Sequence, residues 1–400
     1  MGQRKSSPTQ AVNVNDLFAL IPPELYERLA AEFKPDKWVH KLHASVMVKL
    51  ILYSILHTER LSLRVMETMY AQPDFQILAN AVGKTAHNSI RDRLRTVSVD
   101  YFAALYAHFY EQVEKMYGAQ QLETKYAVRR FDSTMVRTFA HLLQGMRVGS
   151  SARQSVQVKF TMEYRSDVLL RATLHTDQAY LSEERALGQA VEAAQTNSRE
   201  VIVFDRGLQN RATFEALTQA GKHFVTRLQR SPRYELVEIL PLPTEPDQEG
   251  LTIQQHAHVQ LYGSSNKRYD KVFRLVEATN AEGHKLLFVT NLPLQEASAH
   301  MVAQLYRQRW DIEVLFRFLK QEMNLNHFVC HDPNACAIML YGLLIAATMV
   351  LIYKKLNAIE SYKQSKIRFV KELVNSIIYD MLQTQEGIEK MKKLFKPKKE

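Results

Sequence analysis

Apolar residues recur at helical spacing over Val39 to Leu56 and again over Phe102 to Met116, so the first 120 residues read as helices. Pro22-Pro23 and Pro35 punctuate the early part, where each proline starts or breaks a helix. From Lys125 the pattern changes. Lys125 to Thr138, Val156 to Tyr164 and Val168 to Thr176 are β-branched, partly alternating runs of strand length. Ser182 to Ala194 predicts a helix capped by Ser182, and Val201 to Phe204 a short, wholly apolar strand of a sheet covered on both faces. Arg211 to Ala220 predicts a helix stopped at Gly221, and His223 to Leu228 the next strand. Strands in succession, then strands alternating with helices, indicate an α/β layer.

Beyond Arg230 the punctuation shifts to prolines: Pro232, Pro241, Pro243 and Pro246. Strand-like runs follow at Tyr234 to Leu240, His258 to Tyr262, Lys271 to Ala278 and Lys285 to Asn291, a mostly β insertion in the α/β domain. Ala297 onward predicts one long helix reaching Met323. Cys336 to Tyr353 is then free of charge, close to the shortest stretch that spans a bilayer. A helix buried on all sides reads the same way, and the run stands alone and contains Gly342 and Thr348; we take it as a core helix, with no membrane involved. Ile367, Val370, Leu373, Val374, Ile377, Ile378 and Met381 give the tail an amphipathic helix suited to packing on a partner. The expected divisions are a helical N-terminal region (1–121), an α/β core in two parts (122–228 and 294–356) around the β-rich insertion (229–293), and a basic helical tail (357–400).

Composition narrows the classes. The net charge is +10, and residues 354–400 carry twelve Lys and Arg against six Asp and Glu, so a polyanion partner fits. Two cysteines exclude a disulfide framework, and the polar first residues carry no secretory signal, so a cytoplasmic location is expected. Between the first helices, Thr85 or Asn88 could cap a short helix displaying Arg91 and Arg95 one turn apart. Phosphate contact and a solvated helix face suit that helix equally.

The chemistry concentrates on Tyr306, Arg309, Glu313 and Lys320. On one continuous helix these spacings place all four within an arc of about 60°. A carboxylate flanked by two cations and a phenol suits a phosphodiester site, and an ion-paired surface helix has the same composition. Two upstream carboxylates change the balance. Asp132 interrupts a hydrophobic strand, where an unpaired charge is costly, and Asp205 ends the apolar strand Val201 to Phe204, the usual functional edge of an open α/β sheet. Three converging carboxylates would supply hard oxygen ligands for two Mg²⁺ or Mn²⁺ ions.

Tyr306-x2-Arg309-x3-Glu313-x6-Lys320 resembles the Y-x2-R-x3-E-x6-K signature of a family of bacterial insertion-sequence transposases. Phe131-Asp132-Ser133-Thr134 and Val203-Phe204-Asp205-Arg206-Gly207 resemble that family's two Asp strands, and Val289-Thr290-Asn291-Leu292 the strand leaving its β-rich insertion. The resemblance covers roughly Lys125 to Phe328. It implies a ribonuclease-H-like mixed sheet flanked by helices, with Asp132, Asp205 and Glu313 as a DDE triad of metal ligands. Tyr306, Arg309 and Lys320 would hold the DNA backbone. It implies cut-and-paste transposition by a homodimer on double-stranded DNA, acting on inverted repeats and target through a hairpin. Some relatives stack a flipped base on a tryptophan of the insertion. Here the two tryptophans, Trp38 and Trp310, lie outside it, leaving Tyr234, Tyr262, Tyr269 or Phe273 for that role. Rival readings are a non-catalytic DNA-binding regulator and a nuclease without strand transfer. His327, Cys330, His331 and Cys336 lack a familiar zinc spacing. Lys159 and Arg227 read as solvated strand residues more readily than as phosphate contacts. The lysines from Lys390 to Lys399 suit either sequence-independent DNA affinity or a solubilising tail.

Overall fold

The computed structural model describes residues 11–117, 126–137, 146–148, 155–165, 168–175, 177–229, 231–243, 250–263, 266–326, 329, 332–383 and 385–394. His327, Cys330 and His331 lie outside them, as do Lys396, Lys398 and Lys399. The chain divides into two compact units.

The helical unit comprises residues 1–120, 138–142 and 317–400. Its elements are α1 (Val14–Phe18), α2 (Pro23–Phe33), α3 (Ala44–His57), α4 (Leu63–Tyr70), α5 (Pro73–Leu78), α6 (His87–Thr96), α7 (Val99–Tyr117), α12 (Pro333–Leu356), α13 (Tyr362–Leu382) and α14 (Gln385–Leu394). Residues 317–356, read from the sequence together with the α/β core, group with these helices. α12 is the apolar run, and 89% of its most hydrophobic window is buried inside the protein. Pro333 opens it and Asp332 caps it, accepting from the backbone N–H groups of Asn334 and Ala335. Its neighbours include α3, α6, α7 and α13. Only a glycine fits at 342, because a Cβ there would collide with the Ile51 side chain of α3. The amphipathic face of α13 packs within its own chain: Phe369, Leu373, Ile377 and Met381 are buried, and Tyr353 of α12 meets the Phe369 ring edge-on at 5.4 Å. Ile367 and Ile378, expected on that face, are exposed.

The mixed unit comprises residues 121–137 and 143–316. Its strands are β1 (Ala127–Arg137), β2 (Met146–Val148), β3 (Ser155–Arg165), β4 (Val168–His175), β5 (Glu200–Phe204), β6 (His223–Arg227), β7 (Tyr234–Ile239), β8 (Thr252–Tyr262), β9 (Arg268–Thr279) and β10 (Lys285–Thr290). With them are α8 (Glu183–Ala193), α9 (Arg211–Gln219), α10 (Ala299–Arg307) and the start of α11 (Trp310–Gln321), which carries the chain into the helical unit. The described strands form one sheet in the order β2-β3-β1-β5-β6-β10-β9-β8-β7, with β4 paired to β3. β1 is antiparallel to β3 and parallel to β5, and β5 is parallel to β6. β7 to β10, read as an inserted β segment, continue this same sheet, because β10 pairs antiparallel with both β6 and β9.

The sheet has an apolar layer on each face. One contains Phe131, Phe204, Phe214, Phe224 and Phe273, and the other Val201, Val203, Val225, Val276 and Val302. β5 is buried along its whole length, as an apolar strand covered by helices on both sides must be. A charged cluster is built into β1, β3 and β5: Arg129 pairs with Glu163 and, at 3.3 Å, with Glu200, which also accepts from Arg165 at 2.7 Å.

Candidate active site

Phe131 of β1 lies opposite Phe204 of β5 in a parallel ladder. The residues that follow therefore stand side by side, Asp132 on β1 and Asp205 just beyond the carboxyl end of β5. Each carboxylate is locked by a local backbone donor: Ser133 N–H to Asp132 Oδ1 at 2.7 Å, and Gly207 N–H to Asp205 Oδ1 at 2.6 Å. Burial, followed by the neighbouring Asp205 charge, pushes the Asp132 carboxyl up to about 7; the Ser133 N–H and the Arg309 charge offset part of the rise.

A further carboxylate joins them that the sequence reading missed. Glu183, in the first turn of α8, accepts from Ser133 Oγ at 3.2 Å, and burial and Asp205 raise its pKa. A Cβ at position 207 would lie 2.8 Å from Asp205 Oδ1 and 2.9 Å from the Glu183 side chain, so the turn after β5 needs glycine to let these groups approach. The available signal was its place just after Ser182, which caps α8 as expected. Lys159 is not solvated. It is buried on β3, its Nζ donates to the Leu181 carbonyl at 2.8 Å, and burial lowers its pKa.

The signature residues depart from the single helix expected. α10 ends at Arg307 and α11 starts at Trp310, and between them the chain tightens into a turn where N–H groups reach back three residues: Arg309 to Tyr306 at 2.9 Å, Asp311 to Gln308 at 3.2 Å and Ile312 to Arg309 at 3.1 Å. The cause is Arg130, buried on β1 two residues before Asp132 and so on the same face of the strand. Its Nε donates to the Gln308 carbonyl at 2.6 Å, and its Nη2 donates to Asp311 Oδ2 at 2.8 Å. A carbonyl captured by a guanidinium bends the chain there. The 60° arc of a continuous helix therefore does not apply.

The bend leaves Arg309 between the acids. Its Nη2 donates to Glu313 Oε1 at 2.5 Å, and its charge also acts on Asp132. Burial lowers the Arg309 pKa, but Tyr306, Glu313 and Asp132 more than offset this, and the net shift is upward. The guanidinium carbon lies 5.6 Å from the Tyr306 ring centre. Tyr306 and Arg309 also line a cavity of about 270 Å³ with Arg227, Phe288 and Trp310. Arg227, read as solvated, thus faces this cavity. Lys320 occupies the last turn of α11, one heptad beyond Glu313, among the residues of the helical unit. Among the described residues, no three His, Cys, Asp or Glu side chains are grouped to hold a metal ion. Asp132 and Asp205 are brought together; Glu313 is tied to Arg309 instead.

Arg91 and Arg95 lie on α6, both exposed, with Arg91 paired to Asp92 at 3.0 Å and Arg95 within 3.9 Å of Asp332. Neither Thr85 nor Asn88 caps that helix. Ala86 holds the position, and Glu67 accepts from the His87 N–H at 3.1 Å in place of a cap. Of the aromatics named for base stacking, Phe273 is buried in the sheet core and unable to serve.

Residues 123–349, more than half of the chain, match the family described as Transposase DDE domain. The chain belongs to that family. The y4zB protein of Sinorhizobium fredii is 28% identical over 157 residues, 39% of this chain and 43% of that one, so the chain spans less than half of that relative. The transposase for insertion sequence element IS231F of Bacillus thuringiensis subsp. israelensis is 23% identical over 96% of this chain and 90% of its own. A solved structure, the piggyBac transposase synaptic complex with hairpin DNA, matches 98% of this chain and 87% of its own at 12% identity and a TM-score of 0.47. Membership of this family agrees with the resemblance to DDE insertion-sequence transposases.

Proposed function

We propose that this DDE transposase is a metal-dependent enzyme that cleaves DNA at element ends and joins the freed 3′-ends to target DNA, working in the cytoplasm as a dimer on double-stranded DNA. The observation that carries the reading is the Asp132–Asp205 pair. In a part-buried site, burial and the Asp205 carboxylate beside it raise the cost of ionising Asp132, and a divalent cation removes that cost. The order β4-β3-β1-β5-β6, antiparallel and then parallel, supports a ribonuclease-H-like core.

The donors are hard oxygens suited to Mg²⁺ or Mn²⁺, with Asp132 and Asp205 as primary ligands and Glu313 completing the set on leaving Arg309. A pair of such ions held there would supply activation of a water or a 3′-hydroxyl and stabilisation of the leaving oxygen. The protein's own groups position the substrate. Arg309 exchanges the Glu313 carboxylate for a DNA phosphate, which matches its bidentate fork equally well. Tyr306 beside it donates its hydroxyl to the same backbone, and Lys320 adds a second cation. Arg91 and Arg95 contribute phosphate contacts from α6. The hairpin pathway belongs to this reading as its finer detail.

The test is cleavage of duplex DNA bearing the gene's own flanking ends, with Mg²⁺ or with chelator, by wild type and Glu313→Gln. Metal-dependent nicks at the boundary, lost in the variant, support the reading, and a hairpin product supports the pathway. Tight end binding with no cut under any metal would favour a DNA-binding regulator. Nicks without joined products would favour a nuclease.

A further inference from the structure

Between α2 and α3 the chain presents Trp38 with 86% of its surface exposed. The ring is not on a slack loop. Arg93 of α6, buried, reaches into residues 34–43, donating to the Leu42 carbonyl at 2.8 Å, the Pro35 carbonyl at 3.0 Å and Asp36 Oδ1 at 2.5 Å. Asp36 Oδ1 in turn accepts from the Ala44 N–H at 2.7 Å, fixing the start of α3. The Val39 N–H donates to the Asp36 carbonyl at 3.1 Å, closing a turn in which Trp38 has φ +64°. That is the conformation glycine favours, and a bulky aromatic there is strained. The fold thus holds rigidly in water, at a strained position, a side chain that normally goes inside.

What surrounds the ring names the partner. Lys34, Lys37, His40 and Lys41 are exposed in the same ten residues, and the segment's one acid, Asp36, is consumed by Arg93. Lys41 Nζ lies about 4.0 Å from where a Gly83 side chain would start, so the exposed Lys84 of the neighbouring loop extends the basic patch. An aromatic platform ringed by cations fits a base stacked on its face with phosphates on either side.

We infer that Trp38 and its basic collar form a stacking site for an unpaired base of DNA, carried by the helical unit. This rests on the reading of the chain as a DNA-acting transposase and adds a contact point to it. In a Trp310→Phe protein, Trp38 is the one tryptophan left, and its emission reports on this site alone. The probes are a duplex with a short mismatched, frayed end and a fully paired duplex of equal length. The frayed duplex is expected to quench Trp38. Trp38→Gly, in the otherwise wild-type chain, is expected to weaken frayed-end binding about 5- to 150-fold, the range of one lost base stack, and the paired duplex far less. Trp38→Tyr keeps most of the affinity. Because glycine is at ease at this φ, Trp38→Gly leaves the thermal midpoint in place, separating lost contact from lost fold. Unquenched emission at saturation, wild-type affinity of Trp38→Gly for the frayed duplex, or equal loss on both duplexes overturns the site. Failure of the wild type to bind either duplex overturns the site together with the transposase reading.

Discussion

Replacing Asp132 by Asn should stabilise the protein, and more at high pH than at low. Its carboxyl titrates near 7 in the folded protein, against a usual 3.8. Between those values the unfolded chain releases a proton that the folded chain keeps, so stability falls as pH rises from about 4 through about 7. For the shift to about 7, the linkage cost reaches about 2 kcal/mol at about pH 5 and about 4 kcal/mol at about pH 8. Asn cannot ionise, and its Oδ1 can still accept from the Ser133 N–H. The cost of exchanging a neutral carboxyl for an amide does not change with pH. The gain of Asp132→Asn over wild type should therefore grow by roughly 2–3 kcal/mol between the two pH values. Urea unfolding of both proteins in chelator, at matched ionic strength, measures it directly. A gain that is flat with pH would refute the account of a carboxyl destabilised by burial and Asp205. In the wild type alone, Mg²⁺ should recover part of the loss near pH 8, because a cation between Asp132 and Asp205 makes ionisation favourable.

Other perturbations test separate parts of the structure. Arg129→Met should cost about 3–5 kcal/mol in unfolding assays, since it leaves Glu163 and Glu200 buried without their shared cation. Gly207→Ala should force Asp205 and Glu183 apart, lowering cleavage severalfold with a stability loss of roughly 1–3 kcal/mol, read from paired activity and denaturation curves. Glu313→Gln should abolish cleavage and leave DNA binding within a few fold, measured by gel shift beside a denaturing gel. Gly342→Val should destabilise the helical unit by more than about 1–3 kcal/mol, visible as early loss of helical circular dichroism on heating, because its side chain has nowhere to go but into Ile51.

Much of the mixed unit was legible in the sequence because its signals are local. The wholly apolar Val201 to Phe204 could only be a strand covered on both faces, and Asp205 at its end marks the carboxyl edge. Ser182 and Gly221 bound their helices by side-chain and backbone chemistry that a few residues contain. What escaped is set by distant partners. Arg130 breaks the signature helix from 178 residues away, and nothing in Tyr306 to Lys320 announces it. Glu183 looks like an ordinary first-turn acid until the turn at Gly207 draws Asp205 beside it. Lys159 looked solvated because strand alternation says which face a residue occupies, and not that the Leu181 carbonyl covers that face.

The packing of α3 against α12 also sets a timetable. Ile51 and Gly342 touch, yet a ribosome makes them 291 residues apart. At about 5–20 residues per second, roughly 15–60 s pass between the synthesis of α3 and the arrival of its partner. Throughout that interval this fourteen-residue helix, buried at eleven positions, has α4 and α5 beside it but nothing to cover the face that α12 will fill. The nascent chain must shelter that surface on a chaperone or against its first neighbours. A ribosome that stalls before α12 therefore releases a sticky fragment.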